Sequence, residues 1–104
     1  MAKEKTISCE WYLTTYEWDK IILVCDFFSV TYKDLTSLKI TNKGARNAKY
    51  MVAKFLIDFC GFEIRPVMKF LRIGSFYNQC IKKVMCISYN KHFYRENIDP
   101  ISCK

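Results

Sequence analysis

A chain of 104 residues with a net charge of +7, about half hydrophobic and holding only three glycines and two prolines, has the scale and composition of one folded domain rather than a disordered polyelectrolyte. Its longest uninterrupted apolar run, Ile21 to Cys25, falls far short of the roughly 20 residues that span a bilayer, and the start "MAKEKTISCE" has no apolar signal core. The expectation is a soluble cytoplasmic protein with no membrane partner. The charge is unevenly placed: residues 1 to 38 balance at −2, residues 39 to 83 carry ten bases against Asp58 and Glu63, and the tail adds +1. A one-sign central stretch is the electrostatic footprint of a nucleic-acid binder.

In chain order, Trp18, Ile21, Ile22, Cys25 and Phe28 recur at helical spacing and predict a first helix from about Tyr16 to Phe28. Thr31-Tyr32-Lys33-Asp34 has the form of a capping box, opening a short helix that carries Leu35. After the basic loop "KITNKG", an apolar stripe of Ala48, Met51, Val52, Phe55, Leu56 and Phe59 predicts a third helix over about 45 to 60, with Gly61 as its C-cap. Ile64, Val67, Met68 and Leu71 mark a fourth helix, and since Pro66 is tolerated only in a first turn it starts about Arg65. The turn Arg72-Ile73-Gly74-Ser75 ends it. A fifth helix beginning near Ser75 or Phe76 turns Tyr77, Cys80, Ile81 and Val84 inward and Phe76, Asn78, Gln79, Lys82 and Lys83 outward. Residues 88 to 104 form either a last short helix or a docked extended tail. The fold expected is a single all-α domain of five to six helices, with a helix-turn-helix over about 64 to 87.

Six cysteines without an export signal read as reduced thiols, with Cys25, Cys60 and Cys80 on apolar faces. His92 is the one histidine and has no cysteine at ligand spacing, so no metal and no cofactor are expected. No nucleophile has a plausible histidine partner and no paired-acid motif stands out, which predicts a protein that is not an enzyme.

The stretch from "VCDFFSVTYKDL" through "ARNAKYMVAKFL" and "GFEIRPVMKFL" to "GSFYNQCIKKV" resembles, in order, the C-terminal DNA-binding domain of the bacterial replication initiator DnaA, a member of the Trp-repressor-like group. The resemblance covers about sixty residues and rests mainly on apolar matches. It implies duplex DNA binding, with the fifth helix in the major groove and the loop before the third helix at the minor groove. The family's base-reading stretch, typically Arg-Asp-His-Thr-Thr, falls on Ser75, Phe76, Tyr77, Asn78 and Gln79, so the box read by cellular initiators is not the target this resemblance implies. The family's minor-groove arginine falls at or near Gly44, flanked by Lys43 and Arg46. No phosphate-binding G-x-x-x-x-G-K-[ST] loop is present, which argues against a complete initiator. Monomer and dimer both occur among such relatives.

The residues themselves support the same chemistry. Asn78 and Gln79 can each pair with the N6 and N7 of adenine, and they are the base-reading candidates together with Phe76, which either meets a thymine methyl or folds back onto the turn. Lys82, Lys83, Lys43, Arg46 and Lys49 are candidates for phosphate or minor-groove contact, the last three near the positive end of the third helix. Ser75 is a helix cap whose hydroxyl can also touch a phosphate. The partner expected is double-stranded DNA, for a stand-alone regulator of replication or transcription. The alternative is a module that binds a protein, an initiator or a defence factor, through Phe76, Tyr77, Tyr89, Phe93 and Tyr94.

Overall fold

Two threonines open helices in the same way. In the computed structural model, which describes residues 13–37, 43–74 and 77–98, the Thr14 hydroxyl accepts from the Glu17 amide (3.2 Å) while the Glu17 carboxylate accepts from the Thr14 amide (2.8 Å). Thr31 and Asp34 repeat the reciprocal pair at 3.1 and 3.2 Å, so the predicted capping box is present. These caps start α1 (Thr15–Phe28) and α2 (Tyr32–Leu35). Helix α1 buries Ile21, Val24 and Cys25, with Trp18 and Phe28 packed beside them. Ile22, expected in that stripe, is instead 54% exposed: at about 100° per residue it lies off the side shared by positions 21, 24, 25 and 28.

Helix α3 (Lys43–Lys54) is the centre of the domain, packing against α1, α2, α4 and α5. Seven of its residues, Ala45, Ala48, Lys49, Tyr50, Met51, Val52 and Ala53, are buried, as an element surrounded by others requires. It does not continue as an α-helix to Cys60. Residues Phe55–Phe59 form a π-helical turn, in which the Cys60 amide reaches back five residues to the Phe55 carbonyl (3.0 Å). That wider turn rotates Phe59 outward, where it stacks on Phe55 at 5.6 Å instead of completing the buried stripe. Gly61, at φ +84°, takes the left-handed position foreseen for it, and the Phe62 amide closes the end on Leu56 O at 2.9 Å.

Helix α4 (Ile64–Leu71) holds Pro66 within its first turn and buries Val67, Phe70 and Leu71. Its end is closed by a residue other than glycine. The left-handed residue is Arg72, at φ 55°, whereas Gly74 has no positive φ and no atom within 4 Å of an added Cβ. Beyond the turn, α5 (Tyr77–Met85) and α6 (Ser88–Asn97) follow, so residues 88–97 form a helix. Phe93 of α6 stacks on Phe27 of α1 with centroids 3.9 Å apart, and Ile98 plugs the core beyond the helix end. Among the described residues the protein is all-α.

The last carbonyls of a helix have no partner inside it, and here long polar side chains from elsewhere supply one. Asn90 donates to Val84 O of α5 (2.9 Å), and Lys20 of α1 donates to Asn97 O of α6 (2.6 Å). Lys49 does this for two elements at once: its ammonium donates to Leu35 O (2.7 Å) and Ser37 O (2.5 Å) at the end of α2, and to Leu71 O (2.6 Å) at the end of α4. The side chain is fully buried, so Lys49 is no phosphate ligand, which corrects the expectation from sequence. Three donors meet three acceptors, the full capacity of an ammonium.

Burial, and then the nearby positive charge of Arg72, lower the Lys49 pKa from 10.5 to about 8. Replacing Lys49 by Met strands three carbonyls, and we expect Lys49→Met to cost about 2–4 kcal/mol in urea denaturation. In the unaltered protein the unfolded chain binds the proton more tightly than the folded one, so stability rises with pH from about 8 towards 9. Above 9.0, Cys25, pushed up to about 11 by burial, offsets that rise, and above 10.0 Tyr50 and Tyr77, pushed to about 12, also keep protons that the unfolded chain releases, so stability falls. Denaturation midpoints of Lys49→Met across this range should lose the rise and keep the fall.

Candidate nucleic-acid interface

Helix α5 is built from the inside outward. Tyr77, Cys80 and Val84 recur at spacings of three and four and are buried, with half-buried Ile81 beside them, and this leaves Asn78, Gln79, Lys82 and Lys83 exposed together. All four stand where the periodicity predicts. Ser75 and Phe76 lie outside the described residues, and so does the side chain of Lys43.

Arg46 is exposed on the first turns of α3 and reaches across to α5, where its guanidinium donates to the Cys80 sulfur (3.7 Å). Arg46, Asn47, Cys80, Lys83, Val84 and Ile87 together line an open groove of about 320 Å³ between the two helices. The fold thus brings Arg46 to Lys83, two of the residues named from sequence, and adds Asn47, which sequence reasoning did not single out. It removes Lys49 to the core. The pattern around position 49 carried that signal: Ala45, Ala48, Val52 and Leu56 lie at −4, −1, +3 and +7 from it, all buried, so Lys49 sits within the apolar stripe.

The groove is electropositive. Among the described residues the ion pair is Lys54 with Asp58 (2.8 Å), so Arg46, Lys82 and Lys83 have no described carboxylate partner. The same field acts on Cys80. A hydrogen bond from Tyr50 first, then the Arg46 hydrogen bond and the charges of Arg46 and Lys83, outweigh burial and hold its thiol below the ordinary range. Burial and that shared hydrogen bond push Tyr50 the other way, to about 12. Cys25, Cys80 and Cys86 are free thiols.

Such a surface has two chemical capacities. Side-chain amides on an exposed helix can exchange paired hydrogen bonds with base edges, and unpaired cations beside them attract phosphate. Among the described residues no group of three or more His, Cys, Asp or Glu is arranged to hold a metal ion, and no helix is long and apolar enough to cross a membrane. Of known proteins, no family model, no curated sequence and no solved structure matches the chain.

The electrostatic account of the groove is open to direct measurement. Peptide-resolved alkylation with iodoacetamide across pH should show Cys80 titrating below an ordinary thiol, and Arg46→Gln should move its midpoint upward. An unmoved midpoint would mean that the guanidinium does not set the field there.

Proposed function

We propose that this protein binds double-stranded DNA, with α4 and α5 as a helix-turn-helix and α5 as the recognition helix, and that it acts as a stand-alone regulator of replication or transcription. One observation supports this above the rest. Asn78, Gln79, Lys82 and Lys83 are exposed together on a single helix, facing away from the core, with Arg46 across a groove from Lys83 and no described carboxylate paired to these cations. The amides supply base readout and the cations supply orientation and affinity, which is the division of labour found at DNA interfaces. The resemblance to the initiator's DNA-binding domain agrees with this use of α5, and the absence of that family's charged and imidazole readers points to a different target sequence.

A second reading has its own observation. Tyr89 is 71% exposed and rests on Phe27 (4.9 Å), which stacks on Phe93, so α1 and α6 present an aromatic surface suited to a protein partner. Tyr77 and Tyr94, named with these residues from sequence, are buried and do not belong to it.

Selection from a random duplex library at near-physiological salt should enrich a motif. Asn78→Ala should relax preference at one position by about 1–3 kcal/mol. Lys82→Glu with Lys83→Glu should reduce the salt slope of binding by about 2 and weaken affinity more than tenfold. A protein that retains no duplex but captures a protein partner lost on Tyr89→Ala would favour the aromatic surface.

A further inference from the structure

Among the described residues, two other than glycine take the left-handed backbone conformation, Ser29 at the end of α1 and Arg72 at the end of α4. Glycine adopts it freely and an L side chain does not. At Arg72 a second cost is added, because the guanidinium stands close enough to the buried Lys49 ammonium to destabilise that charge. Glycine at position 72 would relieve both, so the arginine is held against the interest of the fold, and a strained residue of this kind points to a use for its side chain.

Arg72 does not stand alone. Arg65 and Lys69 lie four residues apart on the exposed side of α4, Arg72 follows three residues on as its C-cap, and none of the three has a carboxylate partner among the described residues. They border an open groove of about 530 Å³ whose floor is half-buried Met68 and buried Ile73, with Gly74 leaving its end free of any side chain. Arg65 and Lys69 stand about 6 Å apart along the helix and Arg72 follows at its end, so the three charges are spread along α4 rather than gathered at one point. The chain then passes directly from Arg72 through the turn into α5.

We propose that Arg65, Lys69 and Arg72 form a second phosphate track on α4, which grips the DNA backbone beside the recognition helix and extends the footprint beyond the α3–α5 groove. This rests on the DNA-binding reading of α5. The track carries no base-reading group, so it contributes affinity and orientation but no sequence preference. A duplex held by both surfaces is fixed in angle as well as in register, because two separated sets of contacts prevent rotation about either one.

The test uses the full chain and two duplexes, one carrying the motif enriched by library selection and one with the same bases scrambled. With Arg65, Lys69 and Arg72 all changed to Gln, the slope of log affinity against log salt should fall by two to three for both duplexes, near 0.9 for each phosphate no longer neutralised. The ratio of affinities for the two duplexes should stay unchanged. Lys33→Gln with Lys91→Gln, which removes exposed charge from α2 and α6, should leave the slope nearly intact. Arg72→Gly alone should raise the thermal midpoint while weakening both duplexes, a pairing that simple damage to the fold does not produce.

An unaltered slope in the triple variant, or an equal fall in the Lys33/Lys91 control, overturns the track. If Lys82→Glu with Lys83→Glu abolishes binding while the α4 variant binds normally, the recognition helix stands and this proposal alone falls. Loss of binding to polyglutamate with duplex binding intact would reassign α4 to an acidic protein partner and likewise overturn it. Failure of the unaltered chain to retain any duplex sinks both readings.

Discussion

The arrangement of this domain depends on one buried ammonium. Lys49 enters the core from the central helix and holds the ends of α2 and α4 by their carbonyls. Removing an ammonium from water costs several kcal/mol, and only near-complete hydrogen bonding offsets that. The geometry therefore has to be closely maintained, because a shift of either helix end leaves a buried donor or acceptor unmatched. Helix α2 is four residues long and has no stability of its own, so its position is set by its capping box at one end and by Lys49 at the other. Leu71, held by the same ammonium, immediately precedes the turn into α5. A contact in the core thus fixes where the exposed helix begins.

The sequence made much of this visible, for a reason that can be traced. Helical periodicity and end signals act locally, so the capping box at Thr31, the glycine at position 61, the proline limit on α4 and the inward side of α5 could all be read from neighbours a few residues apart. What escaped was decided by distant partners. Lys49 lies within an apolar stripe that marks it for burial, but by residue type it belongs at the surface, and its three acceptors lie 12 to 22 positions away, where no local pattern names them. The left-handed residue that ends α4 is Arg72, a type that carries no local signal for that conformation. At the candidate interface the exposed set on α5 was legible because it is the complement of a buried stripe. The meeting of Arg46 with Cys80 and Lys83 was not, since it requires knowing how α3 and α5 pack.

Much of the basic surface and the stacked aromatics come from different parts of the chain. The unpaired bases described on α3, α4 and α5 lie in the central stretch of the chain, while the stacked aromatics Phe27, Tyr89 and Phe93 occupy α1 and α6. Like charges on one small domain repel, and in water the repulsion is softened by a screening length of about 8 Å at physiological ionic strength. A domain of this size has little stability to spare against such terms. Its compensation is visible in helix ends closed by side chains from other helices, which link α1 to α6 and α3 to α2 and α4.

The π-helical turn at residues 55–59 has a consequence for how the two halves of the candidate interface are phased. A π turn contains one residue more than the α turn it replaces, and one residue in a helix is worth about 100° of rotation and 1.5 Å of advance. Arg46 lies before this turn and Lys83 after it, on elements that meet only because the chain leaves α3 in the right direction. The extra residue acts as an angular offset between the segments that carry the two charges. Shortening the chain by one position there would leave every helix its own amphipathic pattern, yet would turn α4 and α5 to a different heading around α3. Chain length at that one point is therefore as much a determinant of the surface as any of the side chains displayed on it.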